Sequence, residues 1–479
     1  MTLPVKNALY ATLANALQSM AGILVVVLLA RPLGTEEFGR LLLAISFTAV
    51  FAIVIEFGFR WYAIKEVSQR PGIAARIAGN IFNAQLLLAL ASTVLAALAV
   101  RILDYPPRTV AVIAVIWVSA VLVSFTQVTR SLFRGLDLFP CDMAVSLVLF
   151  AAMVLALLPP LLLHPTTLAF AVAILAARFA SFAYGSILFR KKVGRIALNV
   201  HPGRAGRLLA ATLAYGTQVM IFRLLLEWNT IVLHQFSGNV GVGLYQAAFR
   251  FMLATMVISD VLLQSFFPLI ARLATTDMPR FAKTCTTLNR YLLAGGAYLA
   301  VAFFVFAAEL IRLVFGAAYE RSVPALKILA LAVLANFLSA APAIALIALG
   351  RQATRARASV FVLAFNAAVA FILIPGHGAI GAALATLAAF VVYAALNTAF
   401  VHREIGRFFF DRRSMATALL ALAGGLALVP LKGLSLPLGL AAYALLGGVL
   451  FLAATSREEK AEMLRAVRLP GGIPPEVEP

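Results

Sequence analysis

Three arginines stand out because each interrupts a long apolar stretch. Arg178, Arg223 and Arg250 lie in segments that are otherwise apolar enough to cross a membrane. A guanidinium at the centre of a bilayer costs roughly 2.5–3.5 kcal/mol, so such residues normally face a cavity or a partner. Since the planar guanidinium fork matches phosphate oxygens, we predict that Arg223 and Arg250 line a cavity and contact phosphate.

A structural interpretation of these arginines stays open. Glu227 follows Arg223 by four residues, which is one helical turn, so the two side chains can neutralise each other. Arg178 is a third cavity candidate, and for this residue the structural interpretation is favoured.

Two acids lie in the same kind of apolar segment. Glu227 and Asp260 are candidates for taking up H⁺ or Na⁺ and coupling a conformational cycle to an ion gradient. Pairing with arginine is the favoured alternative, because buried charges are usually paired. Glu56 lies nearer the end of its segment, where we expect a helix-end role.

Four polar side chains accompany Arg223 in one predicted helix. Tyr215, Gln218, Trp228 and Asn229 are candidates for contacts with sugar hydroxyls. Polar contacts between packed helices are the default alternative for such residues in a membrane.

Motifs of catalysis and metal binding are missing from the sequence. The five histidines are scattered, and there is no HExxH motif, Walker A motif or Gly-x-Ser-x-Gly elbow. Cys141 and Cys285 show no CxxC spacing or secreted framework. We therefore expect no metal, no cofactor, no disulfide and no enzymatic activity.

Composition places the chain among membrane proteins. Of its 479 residues, 63% are hydrophobic and 12% are charged, whereas soluble domains are about half apolar and a quarter charged. The net charge is +20. The basic residues lie between the apolar runs, where such residues fix topology and face anionic lipid. Nucleic-acid binding is excluded because no basic domain is present.

Apolar runs of about twenty residues predict an all-α membrane protein with about fourteen spans. The predicted spans cover residues 9–30, 40–59, 79–101, 109–129, 139–163, 166–189, 208–234, 244–271, 291–308, 325–350, 356–375, 378–400, 415–431 and 435–454. With the N terminus in the cytoplasm, most Lys and Arg residues fall on the inner side, as the positive-inside rule requires.

These spans divide into predicted domains. The ranges are an N-lobe at 1–189, a cytoplasmic linker at 190–207, a C-lobe at 208–400, two extra spans at 401–455 and a cytoplasmic tail at 456–479.

An internal repeat relates the two lobes. The pattern Gly-x-x-x-apolar-Gly begins at Gly34 after the first span and recurs at Gly238 after the seventh. The same offset places Glu56 opposite Asp260. We expect these glycines to serve turns. Because six spans separate the repeats, the two lobes should share one orientation and be related by an axis along the membrane normal.

Several stretches carry a resemblance to a known superfamily. They are RPLGTEEFG from Arg31, EFG from Glu56, VGVGLYQAA from Val240, VFGAAY from Val314 and IPGHGAIGAA from Ile374. In their order and spacing the chain resembles the multidrug/oligosaccharidyl-lipid/polysaccharide (MOP) exporter superfamily. It is most similar to the polysaccharide-transporter branch, which includes O-antigen and lipid II flippases.

The resemblance implies two pseudo-symmetric six-helix lobes around a central cavity, with two extra C-terminal helices. It implies a flippase that moves a polyprenyl-diphosphate oligosaccharide across the bacterial inner membrane by alternating access, for cell-surface polysaccharide such as the O-antigen of lipopolysaccharide. We expect a monomer with both termini cytoplasmic, in contact with membrane lipids and other polysaccharide-assembly proteins. The alternatives are an ion-coupled multidrug exporter of the same superfamily and a membrane glycosyltransferase or polymerase.

Overall fold

The computed structural model of the chain describes residues 3–163, 165–195 and 202–406 and the single positions 416, 419 and 423. Over these residues the secondary structure is helical, with no strand. The helices are α1 (Leu3–Glu56), α2 (Phe59–Gln69), α3 (Ala74–Ile102), α4 (Pro107–Gly135), α5 (Phe139–Leu162), α6 (Thr167–Lys192), α7 (Pro202–Thr276), α8 (Met278–Val305), α9 (Ala307–Val314), α10 (Val323–Ala348) and α11 (Gln352–Ile405). Short 3₁₀ turns cover Pro71–Ile73 and Ala317–Ser322.

Nine helical stretches within the described ranges are long and apolar enough to cross a membrane. Ten of the first twelve predicted spans fall within one helix, to within two residues at each end. The span at 40–59 runs past the end of α1 at Glu56, and the span at 291–308 crosses from α8 into α9. The last two, at 415–431 and 435–454, lie outside the described residues, so the total of fourteen stays a prediction.

Three of the helices are broken at a glycine and each holds two predicted spans. The backbone leaves the helical region at Gly34 in α1 (φ 69°, ψ −179°), at Gly238 in α7 (φ 60°, ψ −165°) and at Gly378 in α11 (φ 53°, ψ −126°). Positive φ with extended ψ is a region that essentially only glycine occupies. The turns predicted at the repeated Gly34 and Gly238 are thus confirmed, with nearly the same backbone geometry in both copies.

The broken helices also make matching contacts near their breaks. In the first copy, the Thr167 hydroxyl at the start of α6 donates to the carbonyl oxygen of Glu37 at 3.3 Å. In the second copy, a Cβ added to Gly378 would lie 3.1 Å from Ser237 Oγ, beside the break at Gly238. In each copy, the turn after the first span therefore lies against the turn between the fifth and sixth spans.

The described residues form two compact units, one ending at Arg223 and one beginning at Leu224. In the first unit, α1 packs on α4 and α5, α6 packs on the same two helices, and α2 packs on α4. In the second unit, α10 packs on α8 and α11. The domain boundaries and lobe arrangement expected from the sequence remain predictions.

We expect Gly34→Ala and Gly238→Ala each to lower stability by about 1–3 kcal/mol, the usual cost of backbone held in a disfavoured region. In the described part of the chain, no heavy atom lies within 4 Å of a Cβ added at either position, so we assign the loss to backbone strain. The helical Gly22, also open to an added Cβ, is the matched control. Gly22→Ala should be neutral or stabilising by up to about 1 kcal/mol. Thermal unfolding in detergent measures all three, and equal midpoints for Gly22→Ala and Gly238→Ala would contradict the assignment.

Candidate functional site

Arg178, the first predicted cavity residue, is held by a neighbouring helix. It is half-buried on α6, and its Nη1 donates to the Oγ of Ser119 on α4 at 3.0 Å. The Ser119 hydroxyl in turn donates to the carbonyl oxygen of Ile116 at 2.8 Å. Arg178 thus has the helix-packing contact that its structural interpretation requires, and it also lies in the electrostatic field of Arg223.

Arg223 is exposed on α7 and acts electrostatically on Glu56 at the end of α1. Gly216 lies two turns earlier on the same helix, and a Cβ placed there would come within 3.1 Å of the Phe57 carbonyl carbon. Only a glycine lets the α7 backbone approach the junction between α1 and α2 this closely. This packing orders the part of α7 from which Arg223 projects.

Glu56 is the last residue of α1, which confirms its predicted helix-end position. Arg223 and Arg60 are the charged groups that act on its carboxylate. Together with Arg178 these residues form what we call the arginine cluster: Glu56, Arg60, Arg178 and Arg223. The cluster contains three guanidinium groups, whose paired N–H donors are suited to a phosphorylated anion.

The remaining charged candidates belong to the second unit. Arg250 is half-buried on α7, and Asp260 is exposed ten residues further along. Glu227 is half-buried and acts electrostatically on Tyr245. The roles predicted for Arg250, Glu227 and Asp260 in substrate binding and ion coupling remain predictions.

Asn229 is buried in a hydrogen-bonded network between α7 and α11. Its side-chain amide exchanges hydrogen bonds with that of Asn366 at 3.3 and 3.1 Å, and its Nδ2 also donates to Thr386 Oγ1 at 2.9 Å. Because the Thr386 hydroxyl donates to the Ala382 carbonyl, it accepts from both Asn229 and Tyr245. In this conformation the polar atoms of Asn229 serve helix packing, the alternative to a sugar contact.

The other candidates for sugar contacts also lie on α7. Trp228 is half-buried and packs edge-to-face on Phe371, with ring centroids 6.2 Å apart. Tyr215 and Gln218 lie in the same helix, and their side chains are outside the described part of the structure. A sugar-binding role for these three residues stays a prediction.

We expect Asn229→Ala to lower stability by about 1–2 kcal/mol, because it leaves the buried Asn366 amide without its main partner. Adding Asn366→Ala should cost little more, since two mutations in one network are not additive. Thermal unfolding of both single variants and the double variant measures the coupling. Additive losses would contradict the packing role, as would a loss of transport without any loss of stability.

In the described residues, no three or more His, Cys, Asp and Glu side chains come together in a group that could bind a metal ion. Cys141 is half-buried and Cys285 is buried, and both are free thiols.

A protein-family profile described as "Polysaccharide biosynthesis protein" matches residues 5–274, which is more than half of the chain. The chain belongs to the polysaccharide biosynthesis protein family. No curated protein matches this family member significantly. The matched region includes every residue of the arginine cluster and ends two residues before α7 does.

Solved structures similar to this family member are transporters of the MOP superfamily. The lipid II flippase MurJ in an inward closed conformation aligns with a TM-score of 0.67 and 15% identity, covering 96% of this chain and 100% of MurJ. An inward-facing multidrug resistance MATE family transporter aligns with a TM-score of 0.65 and 15% identity, covering 81% of this chain and 94% of the other. A MOP superfamily transporter from Pyrococcus furiosus aligns with a TM-score of 0.59 and 15% identity, covering 84% and 95%.

At these identities the structures establish the fold, which is that of MOP transporters. The family match and the MOP fold agree with the superfamily that the glycine motifs indicated. This polysaccharide biosynthesis family member is a multi-pass membrane protein with the fold of MOP transporters.

Sequence reasoning missed several partners of the site residues. Arg60 lies just after the predicted span at 40–59, where the sequence indicated a loop, whereas it lies in the first turn of α2 and acts on Glu56. Ser119 lies in an apolar run and carries no signal of its own. Nothing in the spacing of Asn366 indicates a contact with Asn229, 137 residues away.

Proposed function

We propose that the chain is a flippase for a lipid-linked oligosaccharide on a polyprenyl-diphosphate carrier. It would move this lipid across the bacterial inner membrane by alternating access, for the synthesis of cell-surface polysaccharide such as O-antigen. The observation that carries the proposal is the arginine cluster, in which three guanidinium groups and one carboxylate lie among helices long and apolar enough to span a membrane.

The chemistry of the substrate explains why such a cluster is needed. A diphosphate sugar cannot enter hydrocarbon, because its charged and hydroxyl groups would lose their water without replacement. Guanidinium groups replace part of that hydration through paired N–H donors aimed at phosphate oxygens. The polyprenyl tail needs no such replacement and can remain in lipid while the head crosses.

Charge separates this function from that of a multidrug exporter on the same fold. An organic cation would be repelled by Arg60, Arg178 and Arg223, which Glu56 only partly offsets. A glycosyltransferase or polymerase shares the biosynthetic setting, but no observation favours it over a non-enzymatic transporter. The similarity to a structure whose title names a lipid II flippase supports a lipid-linked substrate for this chain.

Roles for the remaining candidates follow from this proposal. Arg250 would contact phosphate, and Trp228 and Tyr215 would contact sugar rings. Asp260, exposed on α7, and Glu227 would take up H⁺ or Na⁺ during the cycle. The protein would act as a monomer with cytoplasmic termini, beside other proteins of polysaccharide assembly.

Reconstitution into vesicles tests the function. A polyprenyl-diphosphate sugar labelled on its head group is placed in one leaflet, and an impermeant reagent then attacks the heads that remain outside. Protein-dependent protection of the label, measured with and without H⁺ and Na⁺ gradients, is the expected result. Transport of a cationic dye without protection of the lipid-linked sugar would assign the chain to the multidrug class instead.

A further inference from the structure

A second charged group lies where α4 ends and α5 begins. Asp142 is fully buried and accepts a hydrogen bond on each oxygen, from Arg130 Nε at 2.5 Å and from Arg134 Nε at 2.6 Å. The Arg130 side chain is 2% exposed, and that of Arg134 is 14% exposed. Two guanidinium groups thus share a single carboxylate in the interior of the first unit.

The donors of these arginines are only partly used. Arg130 Nη1 donates to Gln127 Oε1 at 3.2 Å, whereas its buried Nη2 has no hydrogen-bond partner among the described residues. Arg134 Nη2 donates to Asn15 Oδ1 on α1 at 2.9 Å. Gln127 and Asn15 are neutral, so they satisfy donors without reducing the positive charge. A buried guanidinium N–H without an acceptor is costly, and an additional anion would relieve that cost.

Arg60 adds a third guanidinium to this group. Here α2 packs closely on α4: a Cβ added to Gly135, next to Arg134, would lie 3.0 Å from the backbone oxygen of Ile64, one turn from Arg60. Arg134, Glu56 and Asp142 all act electrostatically on Arg60. Arg60, Arg130 and Arg134 thus bring three positive charges against the two negative charges of Glu56 and Asp142. Arg60 is exposed at the first turn of α2, and Arg134 keeps part of its side chain at the surface, so a ligand can reach both residues.

We propose that Arg60 and Arg134, backed by Arg130, form a second anion site that binds a diphosphate group. We call it the Asp142 site, after the carboxylate that orients two of its arginines. Guanidinium forks and phosphate oxygens match in geometry, and the unbalanced charge favours a multiply charged anion over a carboxylate. The site lies at the end of α4 that the basic-residue pattern places on the inner side, so a headgroup arriving from the cytoplasm would meet it before Arg178 and Arg223.

The carrier of the diphosphate is the part of this inference that rests on the proposed function. A polyprenyl diphosphate in the membrane and soluble pyrophosphate present the same group to the arginines. Binding measurements can separate the two sources without any transport step.

The test measures binding to the full-length protein in nanodiscs of zwitterionic phosphatidylcholine. One arm titrates pyrophosphate by calorimetry, and the other incorporates a polyprenyl diphosphate and follows its ³¹P resonance. Arg60→Gln and Arg134→Gln should each weaken binding about tenfold or more, because hydrogen bonds to charged groups contribute about 1.5–3 kcal/mol. Arg134→Lys, which keeps the charge but loses the fork, should fall between wild type and Arg134→Gln.

Arg280→Gln is the matched control. Arg280 is exposed and pairs with Asp277 three residues away at 3.2 Å, so its loss removes the same charge from the first turn of α8. Binding by this variant should stay within about twofold of wild type. Thermal midpoints establish that each variant is folded. Because Arg60 also belongs to the arginine cluster, Arg134→Lys, which keeps the buried charge, is the variant that remains informative if Arg134→Gln unfolds.

The outcomes are distinct. Binding that depends on Arg60 and Arg134 in both arms supports the site. The same dependence in the lipid arm alone supports the site and indicates that its ligand is carried by the membrane. No binding in either arm overturns the proposal, and so does an equal loss in Arg280→Gln, which would indicate a non-specific charge effect. A protein that binds diphosphate but protects no lipid-linked sugar would refute the proposed transport and leave the Asp142 site standing.

Discussion

Arg223→Gln is expected to slow translocation of a lipid-linked diphosphate sugar by about 10- to 100-fold. This factor corresponds to the loss of a hydrogen bond to a charged group, about 1.5–3 kcal/mol at about 1.4 kcal/mol per tenfold. Arg223 is exposed on α7 and acts on both Glu56 and Arg178, so its removal also weakens the field of the arginine cluster. The vesicle protection assay measures the rate.

Two further variants sharpen this expectation. Arg223→Lys keeps the charge without the planar fork and should recover only part of the rate. Arg280→Gln removes an exposed arginine that is paired locally with Asp277, and should leave the rate unchanged. A rate for Arg223→Gln within twofold of wild type, in protein of normal thermal stability, would assign Arg223 to helix packing instead.

Asp142→Asn is expected to give the largest loss of stability among these variants, about 3–5 kcal/mol. Removing one partner of a buried ion pair leaves an uncompensated buried charge, and here two arginines lose their shared carboxylate. Unfolding in a graded series of detergent mixtures, followed by circular dichroism, measures the change. Pyrophosphate should recover part of the stability, since a ligand that binds only the folded state stabilises it.

Asp277→Asn is the control for this variant. It makes the same chemical change at the N-cap of α8, where the ion pair to Arg280 is exposed and Asn can still cap the helix. Its cost should be no more than about 1 kcal/mol, as for other surface pairs. Similar losses for Asp142→Asn and Asp277→Asn would show that the buried arrangement at Asp142 does not form.

Local features of the sequence were sufficient to predict much of the fold. Apolar runs located the helices, because a span must be apolar over about twenty residues whatever its neighbours are. The repeated glycine pattern located the breaks at Gly34 and Gly238, because few other residues tolerate positive φ with extended ψ. The internal repeat in the sequence thus corresponds to two helix breaks with nearly the same backbone geometry.

Contacts between residues that are far apart in the sequence could not be predicted from these local features. Arg130 and Arg134 looked like topology-setting charges, because their partner Asp142 lies across a turn on the next helix. For Asn229 the sequence favoured helix packing over a sugar contact, but it did not indicate Asn366 as the packing partner. Hydropathy and spacing describe one helix at a time, whereas these contacts depend on how helices face each other.

The helix α2 shows the same limit at the level of secondary structure. Its sequence has low hydropathy, so the region after Glu56 was interpreted as an inner loop. The structure shows a helix that turns away at Gly58 (φ 74°) and buries Phe59, Ala63 and Val67 at helical spacing. This helix brings Arg60 close to both Glu56 and Arg134, and therefore to both proposed anion sites.

The central claim is that guanidinium groups of the first unit receive the phosphates of the transported lipid. It is tested most directly by measuring translocation of three polyprenyl-linked sugars, with a diphosphate, a monophosphate or an uncharged linkage, in wild type and Arg223→Gln. The account predicts a penalty for Arg223→Gln that is largest with the diphosphate, smaller with the monophosphate and absent with the uncharged linkage. An equal penalty for all three lipids would contradict it.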